Sequence, residues 1–419
     1  MKKHRPAAKV PRVVIAGAGF GGLEAAKALA RAPVEVTLLD AKNHHCFQPL
    51  LYQVATAALS PADIAWPIRG ILRQQKNARV FMTPITGVDR ASRCVETSGR
   101  PVPYDYLVLA TGASHFYFRH DDWAPFAPGL KTLADAAKIR ARILLAFERA
   151  ELACDEASRR RLLTFVIVGG GPTGVEMAGA IAEIAKQTLR RDFRNIDPAS
   201  SRILLIEAGP RLLPSFPEDL AAYAEKALCR MGVEVRTSEP VTAIDAEGLT
   251  AGKEHIETET AIWAAGVAAS SAATWIGAPA DKSGRVKVNP DLSIPGDPNV
   301  FAIGDTAAVF DASGGPVPGI APAAKQMGRY VGRLIFAKVK GSRLPGPFVY
   351  RHYGDLATIG RKAAIVRIGR LHLTGFPAWV FWSVAHIYFL IGVRNRLAVA
   401  LSWLWDYLTF QRGARIIED

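Results

Sequence analysis

The chain has 419 residues, which is enough for two or three domains with substantial hydrophobic cores. Its formal net charge of +14 favours an anionic partner or surface, or reflects a generally basic proteome. No Lys- and Arg-rich block with interleaved aromatic residues occurs, so we expect no nucleic-acid partner.

The cysteines and the start of the chain bear on its compartment. No C-x-x-C spacing occurs among the four cysteines, which are Cys46, Cys94, Cys154 and Cys229. This pattern argues against a disulfide framework, a zinc site or a redox-active dithiol, and it is typical of a reducing compartment. The basic stretch at residues 1–12 runs straight into an apolar strand, so we expect no secretory signal. We also assign no metal-binding site.

A pattern of strand, glycine turn and helix opens the folded part of the chain at residues 13–26. A β-branched run is followed by Gly17, Gly19 and Gly22 in the spacing G-x-G-x-x-G, and then by helix-forming residues. The first glycine permits a tight turn, the second lets backbone approach a pyrophosphate, and the third lets the helix pack on the strand. Asp40 ends the next apolar run, 23 residues after Gly17, where a carboxylate can bind ribose hydroxyls. These residues predict a dinucleotide-binding site.

The same pattern recurs 152 residues later. The second glycine triplet has the same spacing and comprises Gly169, Gly171 and Gly174. The segment YLVLATG, which ends at Gly112, is echoed by TAIWAAG, which ends 154 residues later at Gly266. Two such coincidences are improbable by chance, so the sequence predicts one α/β nucleotide-binding unit that occurs twice.

The acidic residues of the two units are spaced differently. Glu207 lies 38 residues after Gly169, and we assign the 15 additional residues to a longer helix and loop around 187–201. A carboxylate at this position repels the 2′-phosphate of NADPH, so Glu207 favours NADH. Asp305 follows a third predicted buried strand, in the segment PNVFAIGDTA.

The last part of the chain is apolar and aromatic. Residues 373–393 contain no Lys, Arg, Asp or Glu and are long enough for one membrane crossing, but arginines flank both ends. The next apolar segment, 397–410, contains Asp406 and is too short to return. We therefore favour helices lying in one membrane interface over a spanning helix or a buried dimer interface. Aromatic and basic residues are predicted at headgroup depth: Trp379, Trp382, Trp403, Trp405, Tyr388, Tyr407, Arg394, Arg396, Arg412 and Arg415.

These motifs are similar to those of a known enzyme family. The paired glycine loops and the ATG, AAG and FAIGD motifs resemble the two-dinucleotide-binding flavoprotein superfamily. The segments HHCFQPLLYQVATAAL, VGGGPTGVEMAGA, EAGPRLLP and IGRKAAI resemble type II NADH dehydrogenases, the non-proton-pumping NADH:quinone oxidoreductases. The resemblance covers the chain after residue 11 and implies FAD on the first unit and NADH on the second.

The resemblance carries two sets of cofactor-binding residues onto this chain. The set implied for FAD is Gly17, Gly19, Phe20, Gly21, Gly22, Asp40, Thr111, Gly112 and Asp305. The set implied for NADH is Gly169, Gly171, Gly174, Glu207 and Gly266.

Three further residues match family positions near the reacting rings. Glu176 matches a glutamate near the nicotinamide and is our candidate proton handler, or else an exposed carboxylate that complements a helix N-terminus. Gln326 matches a glutamine near the quinone-facing side of the flavin. Pro322 stands where many members have a second glutamine, so Gln326 must act alone or with another group. Lys362 matches a lysine near the isoalloxazine, or else is a surface lysine.

The implied fold is α/β, with two Rossmann-like dinucleotide-binding domains and a C-terminal membrane-anchoring region. We place the FAD domain at 11–115 and 270–340, the NADH domain at 116–269, and the membrane-anchoring and dimerisation region at 341–419. The implied enzyme transfers a hydride from NADH to FAD and two electrons to ubiquinone or menaquinone. It would be a monotopic homodimer on an anionic membrane surface, at the cytoplasmic face of the inner membrane.

Two alternatives remain at this point. Sulfide:quinone oxidoreductase shares the fold and the tail but needs paired cysteines beside the flavin, and this chain has no cysteine after Cys229. A membrane flavoprotein that acts as a sensor would not need intact sites in both halves. Bleaching of flavin absorbance by NADH, followed by recovery with a quinone, distinguishes these functions.

Overall fold

The computed structural model describes residues 10–311, 313–409 and 412–417. The chain forms two compact units, and each is assembled from three segments. The first unit comprises residues 10–45, 66–114 and 267–352, and the second comprises residues 46–65, 115–266 and 353–417. Most of the basic stretch behind the prediction of no secretory signal, residues 1–9, lies outside the described residues.

A six-stranded, largely parallel sheet forms the core of the first unit. Its strands are, in spatial order, Ala78–Met82, Glu35–Asp40, Arg12–Ala16, Tyr106–Leu109, Asp297–Ala302 and Ser293–Ile294. Val13 of the central strand lies opposite Val36 on one side and Tyr106 on the other. Val13, Val14 and Ile15 have no exposed surface, as expected for a parallel strand covered on both faces.

Two helices of the first unit, Phe20–Ala28 and Ala321–Lys340, pack in close contact. A Cβ on Gly328 would lie 2.1 Å from the carbonyl oxygen of Gly21, and a Cβ on Gly332 would lie 2.5 Å from the Cβ of Ala28. Only residues without a side chain allow this approach. Gly21, which the resemblance assigns to cofactor binding, therefore also has a packing role.

The second unit repeats the strand order of the first. Its four-stranded parallel sheet consists, in spatial order, of Val233–Arg236, Arg202–Ile206, Thr164–Val168 and Thr260–Trp263. Each unit also has a three-stranded antiparallel sheet. These are Ile85–Asp89, Cys94–Thr97 and Val102–Pro103 in the first unit, and Val241–Ile244, Gly248–Ala251 and Glu254–Glu257 in the second. The predicted duplication of the α/β unit is confirmed.

The other elements up to residue 340 are mostly short. The strands are His44–Cys46, Ala65–Pro67, Ala113–His115, Val267–Ala269, Val286–Lys287 and Ala307–Ala308. The α-helices are Leu51–Ala55, Pro61–Ile64, Ile68–Leu72, Leu133–Leu152, Glu156–Leu162, Pro172–Glu183, Glu218–Arg230 and Ala272–Ile276. The 3-10 turns are Gln48–Leu50, Asp121–Trp123, Pro198–Ser200 and Gly304–Thr306, and Ile184–Thr188 is a π-helical turn. This π-helical turn continues the helix Pro172–Glu183 into the region where the sequence predicted the additional residues.

The last part of the chain forms a small sheet and two helices. The antiparallel strands are Asp355–Thr358, Ala364–Ile368 and Leu371–Thr374, and the C-terminal helices are Gly375–Phe389 and Val393–Thr409. Gly392, which has a φ of +85°, interrupts the apolar segment at 373–393. No helix among the described residues is both long and apolar enough to cross a membrane.

Buried polar contacts attach this part of the chain to the rest of the second unit. Asn395 is 1% exposed and donates hydrogen bonds to the carbonyl oxygens of Ala62 (3.2 Å) and Ala65 (3.4 Å). Arg412 donates to the carbonyl oxygen of Thr56 (2.8 Å) and to Oε2 of Glu183 (2.9 Å). The side chains of Arg412 and Glu183 are only 10% and 13% exposed, so this ion pair is buried.

The prediction that Arg412 and Trp382 lie at headgroup depth is wrong. Glu183 holds Arg412 inside the unit, and Trp382 is 2% exposed and stacks on His386. Trp403 likewise turns inward, where its indole N–H donates to Gln53 Oε1 (2.7 Å). An apolar sequence without strong periodicity does not indicate which aromatic side chains face the core.

We expect Arg412→Met to destabilise the protein by about 3–5 kcal/mol, because the buried Glu183 carboxylate loses its ion-pair partner and keeps only the hydrogen bond from the backbone N–H of Arg361. Burial raises the pKa of Glu183 and Arg412 opposes that shift, so Arg412→Met raises this pKa further. The loss of stability should therefore be larger at pH 8 than at pH 5, where the carboxyl can take up a proton. Urea unfolding measures both values.

The matched control is the double variant Arg412→Met/Glu183→Gln, which removes the buried charge. It should regain most of the lost stability. A double variant as unstable as Arg412→Met alone would contradict the assignment of a buried ion pair.

Candidate functional site

Close contacts between two glycines and backbone carbonyl groups determine the shape of the first glycine loop. Gly17 has a φ of +105°, its N–H donates to the carbonyl oxygen of Leu39 (2.7 Å), and a Cβ there would lie 2.3 Å from the carbonyl oxygen of Ala110. A Cβ on Gly22 would lie 1.8 Å from the carbonyl oxygen of Gly17. Both positions therefore require glycine for the fold itself.

The second glycine loop repeats this geometry. Gly169 has a φ of +111°, and its N–H donates to the carbonyl oxygen of Ile206 (2.7 Å). A Cβ on Gly169 would lie 2.7 Å from the carbonyl carbon of Ala264, and a Cβ on Gly174 would lie 1.8 Å from the carbonyl oxygen of Gly169. The two loops are thus built from the same backbone contacts.

The middle glycine of each loop is different. Apart from the adjoining backbone, no atom of the described residues lies within 4 Å of a Cβ built on Gly19 or on Gly171. Their φ values of −67° and −71° suit any residue, so the protein fold does not require glycine at these two positions. Each is the N-cap of a helix whose first N–H groups have no partner within the helix. Open space at this end of a helix fits a phosphate group.

A carboxylate lies beside each loop in the same way. Asp40 Oδ2 accepts a hydrogen bond from the N–H of Ala18 (2.7 Å), and Glu207 Oε2 accepts one from the N–H of Gly170 (2.6 Å). Both donors directly follow the first glycine of their loop. The additional residues before Glu207 therefore leave the position of its carboxylate unchanged.

Hydroxyl groups organise the loop that contains Thr111 and Gly112. The Thr111 hydroxyl lies 2.5 Å from that of Ser270, and Thr306 Oγ1 accepts a hydrogen bond from the N–H of Gly112 (2.9 Å). Asp305 lies in the 3-10 turn next to Thr306 and is partly buried. Ser270 and Thr306 were not identified from the sequence, because neither belongs to a motif with diagnostic spacing.

His45 is a further residue at the first loop. It is 3% exposed, its Nδ1 lies 3.0 Å from the carbonyl oxygen of Ala18, and its ring meets that of Phe20 edge-on at 4.9 Å. Burial lowers the pKa of His45 to about 4, so its ring is neutral at pH 7. Within the described part of the chain, its Nε2 has no hydrogen-bond partner. A buried polar atom of this kind fits a site completed by a bound group.

Gln326 and Lys362, which the resemblance assigns near the reacting rings, lie in different units. Both ends of the Gln326 side-chain amide contact Arg351: Nε2 donates to its carbonyl oxygen (2.8 Å) and Oε1 accepts from its N–H (3.0 Å). Lys362 is exposed, and its ammonium lies 5.6 Å from the ring centre of Tyr407. Gln326 therefore holds the backbone of Arg351 in the first unit through two hydrogen bonds, whereas Lys362 lies over the aromatic ring of Tyr407 in the second unit.

Glu176 lies in the wall of a cavity of about 70 Å³ within the second unit. Four aromatic side chains contribute to this wall, and they are Tyr52, Trp379, Trp382 and Trp403. Burial raises the pKa of Glu176 to about 8, although a hydrogen bond from the backbone of Thr358 acts in the opposite direction. The carboxyl therefore holds a proton at pH 7, unlike an exposed acid at a helix N-terminus.

Comparison with known proteins identifies the family. The model for pyridine nucleotide-disulphide oxidoreductases matches residues 11–328. The type II NADH:quinone oxidoreductase NdhA of Mycobacterium tuberculosis is 45% identical and covers 97% of this chain and 89% of its own length. The related Ndh of that organism is 43% identical, with coverages of 100% and 93%. The chain belongs to the type II NADH:quinone oxidoreductase family. The resemblance seen in the motifs is thus confirmed.

Solved structures share the fold of this family member. NDH2 from Plasmodium falciparum, solved in complex with NADH, matches with a TM-score of 0.87 and 20% identity, over 98% of this chain and 100% of that chain. The sulfide:quinone oxidoreductase of Aquifex aeolicus matches with a TM-score of 0.72 and 18% identity, over 96% of each chain. At these identities the likeness shows the fold alone.

Each glycine loop, together with the carboxylate beside it, forms a candidate dinucleotide-binding site that we call a cradle. The middle glycines allow the two cradles to be tested separately. We expect Gly19→Val to fold but to retain less than about one tenth of the bound flavin, because the side chain fills the space for the pyrophosphate. Gly171→Val should keep its flavin and raise the KM for NADH at least about ten-fold. Flavin absorbance per protein and steady-state kinetics measure both effects.

Gly22→Val serves as the control for backbone contact and should unfold at a lower temperature than Gly19→Val. Full flavin content in Gly19→Val would show that the first cradle is assigned incorrectly.

Proposed function

We propose that this chain is a membrane-bound flavoenzyme that oxidises NADH and reduces a quinone without pumping protons. The observation that carries the proposal is the pair of matching glycine loops, each with open space at its middle glycine and a carboxylate beside its first turn. Two dinucleotide cradles suit an enzyme that uses FAD and NADH together. The 45% identity to a type II NADH:quinone oxidoreductase over nearly the whole chain supports the same function.

The first cradle fits FAD and the second fits NADH. Gly19, Asp40 and Asp305 would hold the pyrophosphate and ribose parts of FAD, beside the loop at Thr111 and Gly112. Gly171 and Glu207 would hold the pyrophosphate and adenosine ribose of NADH, beside the loop at Gly266. When bound, the flavin accepts a hydride from NADH and supplies two electrons to the quinone. The protein contributes position and electrostatics, so it needs no nucleophile for this step.

Quinone reduction also needs protons, and Glu176 is our candidate donor. Its raised pKa keeps it protonated at pH 7, where an ordinary glutamate would be ionised. Lys362 would stabilise negative charge near the reduced flavin. Gln326 would position the quinone through the backbone of Arg351, because both ends of its amide are already bonded there. That arrangement needs no second glutamine at Pro322.

We propose that the C-terminal helices lie in one membrane interface. More than half of the exposed large apolar side chains among the described residues lie at or after Leu371. Val384, Tyr388, Leu397 and Leu401 are each at least 60% exposed. Such a concentration on one segment is typical of a membrane-binding surface. Arg394 is exposed and is suited to contact an anionic headgroup.

The remaining assignments follow from the family resemblance. We propose FAD binding at 11–115 and 270–340, NADH binding at 116–269, and membrane attachment and homodimer formation at 341–419. Reduced cysteines and the use of NADH support the cytoplasmic face of the inner membrane as the site of action. The quinone is ubiquinone or menaquinone, and turnover with analogues of each distinguishes them.

The pH dependence of reoxidation tests the role of Glu176. We expect wild-type enzyme reduced by NADH to reoxidise with a short-chain quinone at a rate that falls as pH rises through about 8, because the carboxyl loses its proton there. Glu176→Gln should be slower by about 10²-fold below pH 8 and should lose that inflection. Stopped-flow absorbance from pH 6 to 9.5 measures both.

Glu247→Gln, at an exposed loop, is the control and should behave as wild type. An unchanged inflection in Glu176→Gln would assign the titration to another group.

Vesicle binding tests the membrane proposal. Burial of a leucine side chain contributes about 1.5–3 kcal/mol, so Leu397→Glu/Leu401→Glu should lower partitioning into anionic vesicles at least 100-fold. Leu152→Glu changes a side chain that is 81% exposed elsewhere in the second unit and should bind vesicles as wild type does. Sedimentation with vesicles measures the effect, and equal binding by all three proteins would contradict the proposal.

A further inference from the structure

Two voids within the second unit share part of their walls. One is the cavity of about 70 Å³ that contains Glu176, and the other is a wide cleft of about 1940 Å³. The residues that line both are Ala58, Gln187, Thr188, Asp406 and Arg412. Of these five residues, only Asp406 has a side chain that can exchange a proton near neutral pH. The other ionisable residue, Arg412, keeps its proton at all such pH values.

The proposed reaction creates a need for such a group. In balanced form, NADH, one proton and a quinone give NAD⁺ and a quinol. The hydride carries one proton equivalent with its two electrons, and the second proton comes from solvent. If Glu176 donates that proton, it must be reprotonated in every turnover, and the proton must reach it through the small cavity in whose wall it lies.

We propose that Asp406 relays protons from the wide cleft into the cavity that contains Glu176. The inference rests on the proposed function and adds a residue of the second C-terminal helix to it. Asp406 would act by supplying Glu176 and would not itself contact the quinone. The segment that attaches the enzyme to the membrane would then also serve its proton supply.

The surroundings of Asp406 suit this role. Burial raises the pKa of Asp406 to about 6, and Glu183 acts in the same direction. Arg412 and Arg361 act in the opposite direction and keep the carboxyl able to release its proton. Within the described residues, no hydrogen bond occupies its carboxylate, although Arg361 binds its carbonyl oxygen (2.6 Å). Asp406 can therefore exchange a proton near neutral pH.

The small cavity offers groups that can hold water between the two acids. The Trp382 indole N–H lies in its wall and has no hydrogen-bond partner among the described residues. The Tyr52 hydroxyl accepts from Nε2 of Gln53 (2.9 Å), so its own hydrogen remains to be donated. Burial raises the pKa of Tyr52, which keeps it protonated. A volume of this size with polar wall groups accommodates water.

The test separates the two half-reactions of the full-length, flavin-loaded enzyme. Asp406→Asn should leave the rate of flavin bleaching by NADH unchanged, since that step takes no proton from solvent. Reoxidation by a short-chain quinone at pH 7.5 should slow at least about ten-fold. Asp406→Glu should restore most of this rate. Formate, a small weak acid, should accelerate Asp406→Asn and leave the wild type unchanged.

Two controls distinguish a relay from a structural role. Glu148→Gln removes another carboxylate from the wide cleft that does not line the small cavity, and it should reoxidise as wild type does. In the resting enzyme, infrared titration between pH 5 and pH 7.5 should show a carboxyl band that is absent from Asp406→Asn.

Equal reoxidation rates in the wild type and Asp406→Asn would overturn the proposal. So would equal slowing of both half-reactions, or the absence of rescue by both formate and Asp406→Glu. A wild-type enzyme that is bleached by NADH and never reoxidised by quinone would instead overturn the proposed function itself.

Discussion

The helix of each glycine loop lies so close to its strand that no side chain fits between them. A Cβ on Gly22 or Gly174 would come within 1.8 Å of the carbonyl oxygen of the first glycine in its loop. This contact directs the helix N-terminus at the turn and leaves the middle glycine facing open space. The open space that we propose as an anion site is therefore a consequence of backbone packing, and it occurs twice because the packing occurs twice.

The second unit combines this cradle with a cluster of buried ionisable groups. Glu176 and Glu183 lie on the helix of the second glycine loop or at its end, and both line the same cavity as Asp406. Arg412 compensates one of these acids, whereas burial leaves Glu176 protonated near neutral pH. Burying ionisable groups costs stability, and such sites are typical of functional chemistry. The C-terminal segment, for which we propose membrane attachment, thus also forms part of this cavity.

Features that depend on local backbone geometry could be predicted from the sequence. The glycine spacing, the register of the duplication and the positions of Asp40 and Glu207 follow from strand and turn geometry, and the structure agrees with them. Contacts between distant segments were not predictable in this way. The pairing of Arg412 with Glu183 and the inward orientation of Trp382 depend on how the C-terminal helices fold back. Likewise, Ser270 and Thr306 reach the loop at Thr111 only through tertiary structure.

The most direct measurement is an anaerobic titration of the purified, flavin-containing protein. We expect one equivalent of NADH per flavin to bleach the flavin absorbance and one equivalent of a short-chain quinone to restore it, with NADPH much less effective because of Glu207. Protein that is colourless and takes up no added flavin would contradict the two-cradle assignment. Bleaching without recovery on addition of quinone would contradict electron transfer to a quinone.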